Sequence, residues 1–259
     1  MTRIALGLEY DGSGFCGWQT QKHGRSVQAC VEKALSLVAD HPVHVVCAGR
    51  TDAGVHATAQ VIHFDTASER SARSWVLGGN SNLPPEISLL WSRETQETFS
   101  ARFSARSRRY RYVIFNRWVR PGVFHRKVSW YHQPLDAERM HEAGQRLLGE
   151  WDFTSFRAVG CQAKSPVRTL LSLDVTRHGD FIYLDVHANA FLHHMVRNIA
   201  GVLTAVGEGE RSVEWVSEVL HAQNRTLGGV TAPPDGLYLV HVEYEPETGV
   251  VLEPVLPEF

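Results

Sequence analysis

Cysteine is scarce in this chain: four occur in 259 residues, and none forms a Cys-x-x-Cys pair. Cys16, Cys30, Cys47 and Cys161 are too scattered for a zinc site or a disulfide framework, so free thiols in a reducing compartment are expected. Long apolar runs are also missing. Arg197 interrupts the best candidate for a membrane span, which excludes a membrane partner. Met1 to Tyr10 alternates polar and apolar residues rather than forming the uniform apolar stretch of a signal peptide, and a cytoplasmic location follows. No Gly-x-Ser-x-Gly elbow is present, so serine-hydrolase chemistry has no support.

The most telling shortage is of negative charge. No acidic residue lies between Glu97 and Asp136, although the chain as a whole carries a formal charge of −2. The same interval holds nine cations: Arg102, Arg106, Arg108, Arg109, Arg111, Arg117, Arg120, Arg126 and Lys127. Aromatic residues are interleaved with them, at Phe103, Tyr110, Tyr112, Phe115, Trp118 and Phe124. Cations neutralise phosphates and aromatic faces stack on bases, so RNA or another polyanion is the expected partner. A solvated edge strand guarded by charge would need fewer.

What is present is a soluble composition, 43% hydrophobic and 21% charged, long enough for one large domain or two smaller ones. Within it, Ala48-Gly49-Arg50-Thr51-Asp52-Ala53-Gly54-Val55-His56 places one carboxylate between two glycines and two residues from an arginine. An Asp in such a turn commonly caps local backbone donors. Here the segment lies between two apolar runs, Val43 to Cys47 and Val61 to Phe64. The carboxylate is therefore expected where two strands open onto a cleft. In extended backbone Arg50 and Asp52 point the same way, and a guanidinium beside a carboxylate favours its ionised form. An ionised Asp in a partly dry site serves as nucleophile or electrostatic stabiliser.

Periodicity organises the rest. Residues 3–10 alternate as a half-buried strand, and Ser26 caps a helix with Val27, Cys30, Val31, Ala34, Leu35 and Val38 on one face. Val43–Cys47 and Gln60–Asp65 read as strands, Ser68–Leu77 as a short helix, and Ile87–Arg93 as a strand. That is the β-α-β-β-α-β order of a ferredoxin-like unit. The order then repeats. Ser107–Phe115 is a strand, Asp136 caps a helix, and Leu170–Thr176 and Phe181–His187 form a hairpin. His193–Val206 and Val213–His221 are helices, and Leu237–Tyr244 closes the set as a strand. The fold class expected is α+β, with two such half-domains, 1–104 and 105–259, whose mixed, mainly antiparallel sheets flank a central basic cleft.

Two motifs point elsewhere and fail on context. Gly12-Ser13-Gly14-Phe15-Cys16-Gly17 fits a dinucleotide fingerprint, but Trp18 to Gly24 is turn-like where a helix must begin, and Glu32 falls mid-helix. No nucleotide cofactor is expected. His193-His194 suggests a metal, but adjacent helical residues diverge by about 100°, and no His-x-x-x-His or carboxylate lies at ligand spacing. No metal is expected.

Five blocks together resemble the tRNA pseudouridine synthase A family. They are Tyr10-Asp11-Gly12-Ser13 with Gly17-Trp18-Gln19; Gly49 to His56 through Gln60; Arg108-Arg109-Tyr110-Arg111-Tyr112; Phe153-Thr154-Ser155-Phe156-Arg157; and Asn189 to Asn198, followed by Gly236-Leu237-Tyr238. The resemblance spans nearly the whole chain, and the order of the blocks makes it specific. It implies the two-domain α+β pseudouridine synthase fold, a homodimer, no cofactor, and tRNA uridines at positions 38–40 as targets. It implies Asp52 as the catalytic aspartate, with Arg197 near it in the active site and Arg50 in base displacement. Tyr110 would pack on the target base, Arg108, Arg109 and Arg111 would bind tRNA, and Leu237 would line the substrate site.

The chemistry agrees with the residues. Turning uridine into pseudouridine gains no atoms and changes no oxidation state, so no cofactor is needed. It requires a carboxylate at the sugar, by attack on the anomeric carbon or by assisting a glycal, and both routes suit Asp52. A tandem RNA-binding module without chemistry would explain the basic strand but not the bracketed Asp. A hydrolase using Asp52 would need a second acid or base, and none is evident nearby.

Overall fold

The computed structural model describes residues 1–259, which divide into two compact units. The first comprises Met1–Ser107 and Tyr238–Pro257, and the second Arg108–Leu237 and Glu258–Phe259. The division expected from the sequence, 1–104 and 105–259, differs in the tail. Residues 238–257 group with the first unit, where their strand runs beside β3 (His56–Thr66).

In chain order the first unit contains β1 (Thr2–Tyr10), α1 (Val27–Ala39), β2 (Val46–Cys47), β3 (His56–Thr66), α2 (Ala72–Asn82) and β4 (Ile87–Thr95). The β-α-β-β-α-β order read from the sequence is present. β1 lies between β3 and β4, antiparallel to both, with Leu6 opposite Ile62 and Ser92. It was expected to be half-buried, yet Ala5 and Gly7 are buried along with Ile4, Leu6 and Leu8. The reason is Trp91, whose indole lies where a side chain on Gly7 would stand, so the second face is also covered. On the helical face, Trp75 of α2 meets Phe64 of β3 edge-on, with ring centroids 5.2 Å apart. Ser26 and Ser71 cap α1 and α2 by accepting from the amides of Ala29 and Ser74. β2 is shorter than expected, two residues paired with β3 at Val46–His63 and Cys47–Ile62. The other end of the same β3 edge receives the late strand, Leu237–Tyr244, which runs parallel to it with Tyr238 opposite His56.

The second unit is built from β5 (Ala105–Asn116), β6 (Ser129–Tyr131), α3 (Ala137–Gln145), β7 (Gly149–Asp152), β8 (Val167–His178), β9 (Phe181–Ala188), α4 (Met195–Gly207) and α5 (Trp215–Ala222). The late strand that pairs with β3 is β10. β5, β9, β8 and β7 pair antiparallel in that order, and β6 joins β5 in parallel. β6 and β7 escape a periodicity search because each has only three or four residues. Asp136 caps α3 through the amide of Arg139, as expected. α3 and α4 pack closely at Gly207, where a side chain would meet Met140.

The segment after β4 is fastened to the first unit through His63, a buried residue of β3 whose Nδ1 accepts the Ala101 amide at 3.0 Å. Burial, and then the positive charge of Arg3, lower the pKa of this imidazole below its ordinary value. A depressed His favours the neutral ring in the folded state. Its contribution is complete above the unfolded pKa, about 6.5, and is lost as pH falls through the lower folded value. Urea midpoints should therefore decline as pH falls from 7.5 to 5, and His63→Gln should make that decline shallower. An equal pH slope in the two proteins would remove His63 from the effect.

Candidate active site

Asp52 sits in the loop between β2 and β3, half-buried, with Arg50 exposed beside it. The loop has no regular hydrogen-bond ladder, so its backbone groups need other partners. Gln60 of β3, fully buried, supplies two. Its amide nitrogen donates to the Gly49 carbonyl at 2.6 Å, and its amide oxygen accepts the Gly49 amide at 3.4 Å. The Ala48 amide bonds the Val61 carbonyl at 2.8 Å. At the turn itself, the hydroxyls of Tyr10 and Thr51 are 2.8 Å apart, and the Trp18 amide donates to the Thr51 carbonyl at 3.0 Å. The Val55 amide returns to the Asp52 carbonyl at 3.1 Å, closing a turn within which Gly54 takes φ +81°.

The glycines of the first block now have a physical reason. Gly17 has φ +96°, and a Cβ on it would stand 2.8 Å from the Thr51 carbonyl oxygen. A Cβ on Gly12 would overlap the Val55 carbonyl. These residues allow the segment after β1 to lie against the backbone that carries Asp52; the reading as a simple strand-to-helix turn understated them. His56 completes the support. Its Nδ1 lies 3.1 Å from the Asp11 carboxylate and 3.1 Å from the Gly12 amide, and its ring stacks on Tyr238 at 4.6 Å. None of Gln60, Tyr10, Trp18 and His56 carries a chemical signature. The signal available was a glutamine, a polar residue, at a buried strand position.

In the second unit, Tyr110 lies on β5 and is 8% exposed, its ring edge-to-face with Phe191 at 5.0 Å. Arg197 stands in the first turn of α4. Its Nε donates to the Ala232 carbonyl at 2.8 Å, and its own carbonyl accepts the Ala232 amide at 3.1 Å. The next residue, Asn198, is buried and bonds the Phe156 carbonyl, Arg225 and Thr231 at 2.7, 3.0 and 2.7 Å. These contacts tie the segment 224–232 and the Phe153–Arg157 block to the start of α4, and the Ala232 carbonyl holds Arg197 Nε. Leu237 is buried, its amide on the Pro234 carbonyl at 2.9 Å.

The basic strand differs from its expected form. Arg111 donates from Nε and Nη2 to the two oxygens of Asp185, each at 2.7 Å, and its guanidinium lies over Tyr183. Asp185 sits directly opposite it on β9. Arg106 pairs with Glu245, and Arg117 lies 3.9 Å from Asp180. The interval lacks acids along the chain but not in space, because neighbouring strands and β10 bring them. Arg108 is half-buried, with one nitrogen on the Asn189 carbonyl at 3.2 Å, and Arg109 is exposed. His193 and His194 precede the helix rather than lying on it. α4 starts at Met195, His194 adopts a left-handed φ of +61°, and the two imidazoles come within 4.0 Å instead of diverging. A groove of about 720 Å³ in the second unit, beside Trp118, His132 and Arg177, is lined by none of the expected site residues.

A family model described as tRNA pseudouridine synthase matches residues 8–104 and 143–245. The chain belongs to the tRNA pseudouridine synthase family. Among curated relatives, it is 63% identical over 242 residues to the tRNA pseudouridine synthase A of Nitrosococcus oceani, covering 93% of each chain. It is 59% identical to that of Aeromonas salmonicida over 98% of this chain and 95% of the relative. It is 56% identical to that of Vibrio campbellii over 99% and 97%. The matched stretches include the Asp52 loop and the start of α4.

Two groups of variants separate structural from exposed charge. Arg111→Ala should destabilise the protein by about 2 kcal/mol, the range for hydrogen bonds to charged groups, and leave the salt dependence of tRNA binding unchanged. Arg108→Ala and Arg109→Ala should each lower the salt slope by about 1 with little effect on stability. Melting curves and filter binding between 50 and 200 mM salt decide it. Gly17→Ala should lose activity beyond its loss of stability, since the added methyl displaces the backbone beside Asp52.

Proposed function

We propose that this protein isomerises uridine to pseudouridine in the anticodon stem-loop of tRNA, at positions 38–40, with Asp52 as the catalytic residue. Family membership over most of the chain supports the reaction. The single observation that carries the residue is the fastening of an otherwise irregular loop from both ends, by Gln60, Tyr10 and the backbone of Trp18, around one half-buried carboxylate. A catalytic group held within a few tenths of an ångström is what positioning catalysis requires.

The steps follow from bond accounting. The N1–C1′ glycosidic bond breaks while Asp52 acts at the ribose, by attack on C1′ or by assisting a glycal. The detached uracil turns, C5 bonds to C1′, the proton on C5 leaves, N1 takes up a proton, and Asp52 is released unchanged. Tyr110 is assigned to stacking on the base and Leu237 to the apolar lining. Arg197 is assigned to the active site as a cation, and Arg50 to the space left by a base taken out of the stack, a displacement that costs about a few kcal/mol. Arg108 and Arg109 are assigned to tRNA phosphates; Arg111 is assigned to holding β5 to β9 so that those two project correctly. Atoms and electrons balance within the substrate, so the scheme uses no cofactor. A homodimer and a cytoplasmic location are further parts of this reading. Four free thiols agree with the location, and no helix is long and apolar enough to cross a membrane.

Purified protein should release tritium from tRNA labelled at uracil C5 without added metal or nucleotide. Asp52→Asn should fold and bind tRNA yet release none. A hydrolase or a simple binder leaves the C5 label in place in both proteins, and turnover by Asp52→Asn near the wild-type rate would remove Asp52 from the mechanism.

A further inference from the structure

The turn that follows β4 is held on every side, yet it presents an apolar ring to water. Phe99 and Ala101 are buried, at 3% and 0% exposed, whereas Phe103 is 80% exposed. The buried half is anchored by four contacts. Ala101 donates its amide to His63, and its carbonyl accepts the Tyr244 hydroxyl at 2.7 Å. The Phe99 carbonyl accepts from Arg3 at 2.7 Å, and the Phe99 ring lies 5.2 Å from that of Tyr244. The exposed half is closed by serine. The Ser100 amide reaches Ser104 Oγ at 2.9 Å, the Phe103 amide reaches Ser100 Oγ at 3.3 Å, and the Ser104 amide reaches the Ser100 carbonyl at 2.9 Å. This bonding fixes the backbone at Phe103. The ring itself is buried by nothing in the chain; the guanidinium of Arg102 lies 5.1 Å from its centroid.

We propose that Phe103 is a stacking platform for one unpaired base of the RNA substrate, with Arg102 beside it for the adjoining phosphate. This rests on the reading of the protein as a tRNA-modifying enzyme and adds a contact outside the catalytic loop. The size of the feature selects the occupant. Docking a protein or a membrane uses an apolar patch of several hundred Å², but the chain neighbours of this ring are an arginine and a serine, and beyond them stand two small residues, Ala101, buried, and Ala105, half-buried. A single aromatic face matches a single base, which any of the four bases can offer. The charge is suitable as well, since the Arg102 guanidinium lies 5.1 Å from the ring centroid. A backbone ordered before binding loses little freedom on contact, so the stacking energy appears as affinity.

The test is equilibrium binding of an unmodified tRNA transcript across a salt series. Phe103→Ala should raise Kd about tenfold, the lower range for one base–aromatic stack, with the salt slope and the melting temperature unchanged. Phe103→Trp should bind within about twofold of wild type, and Phe103→Leu should resemble Phe103→Ala. Arg102→Ala should lower the salt slope by about 1. Wild-type affinity in Phe103→Ala, or equal affinity in Phe103→Leu and wild type, overturns the platform. So does a change in the sedimentation of free Phe103→Ala, which would mean that a second copy covers the ring. If the wild-type protein binds no tRNA, the functional reading fails as well; if it binds and Phe103→Ala binds as tightly, only the platform fails.

Discussion

The hydrogen bonding of one irregular loop is the constraint on which the first unit turns. Asp52 lies where neither helix nor sheet can satisfy the backbone, and a half-buried backbone without partners costs free energy at every unmet group. The molecule meets this with groups from three directions. Gln60 imitates a strand partner for Gly49, Tyr10 caps Thr51, and the segment after β1 offers the Trp18 amide. Each must approach closely, and that requirement removes the side chains at Gly12 and Gly17. Glycines that resemble a nucleotide fingerprint are thus consequences of the aspartate loop.

Charge shows a second consequence of folding. An interval with nine cations and no acid reads as an open polyanion surface. Pairing across strands changes the account, since Asp185 takes Arg111 in a two-point contact and Glu245 takes Arg106. A bidentate pair of low exposure holds two strands in register. The same run of arginines therefore divides between holding β5 in place and facing solvent, and only the register of the sheet says which residue does which.

Much of the fold was legible. The capping Ser26 and Asp136 lie beside helical periodicity, alternation marked β1, β4 and β5, and a turn marked the hairpin of β8 and β9, whereas the helix expected at Ser68–Leu77 begins only after Ser71 and runs to Asn82. What escaped had physical causes. β6 and β7 are too short to show a period. The start of α4 was misjudged because His194 takes a left-handed backbone, a conformation that histidine adopts rarely and no pattern announces. β10 looked like the close of a second repeat, but its parallel pairing with β3 depends on partners far away in the chain.

The candidate residues followed a similar division. The amino-acid order by itself determined the α+β class, the order of elements in the first unit, and the identity of Asp52 as a carboxylate between two glycines. These depend on local periodicity and on residue types, which are written along the chain. Tertiary structure decided what holds that carboxylate, which arginines are already paired, and which unit the tail joins. Those are matters of close approach between distant segments, and a linear pattern carries no distance across space.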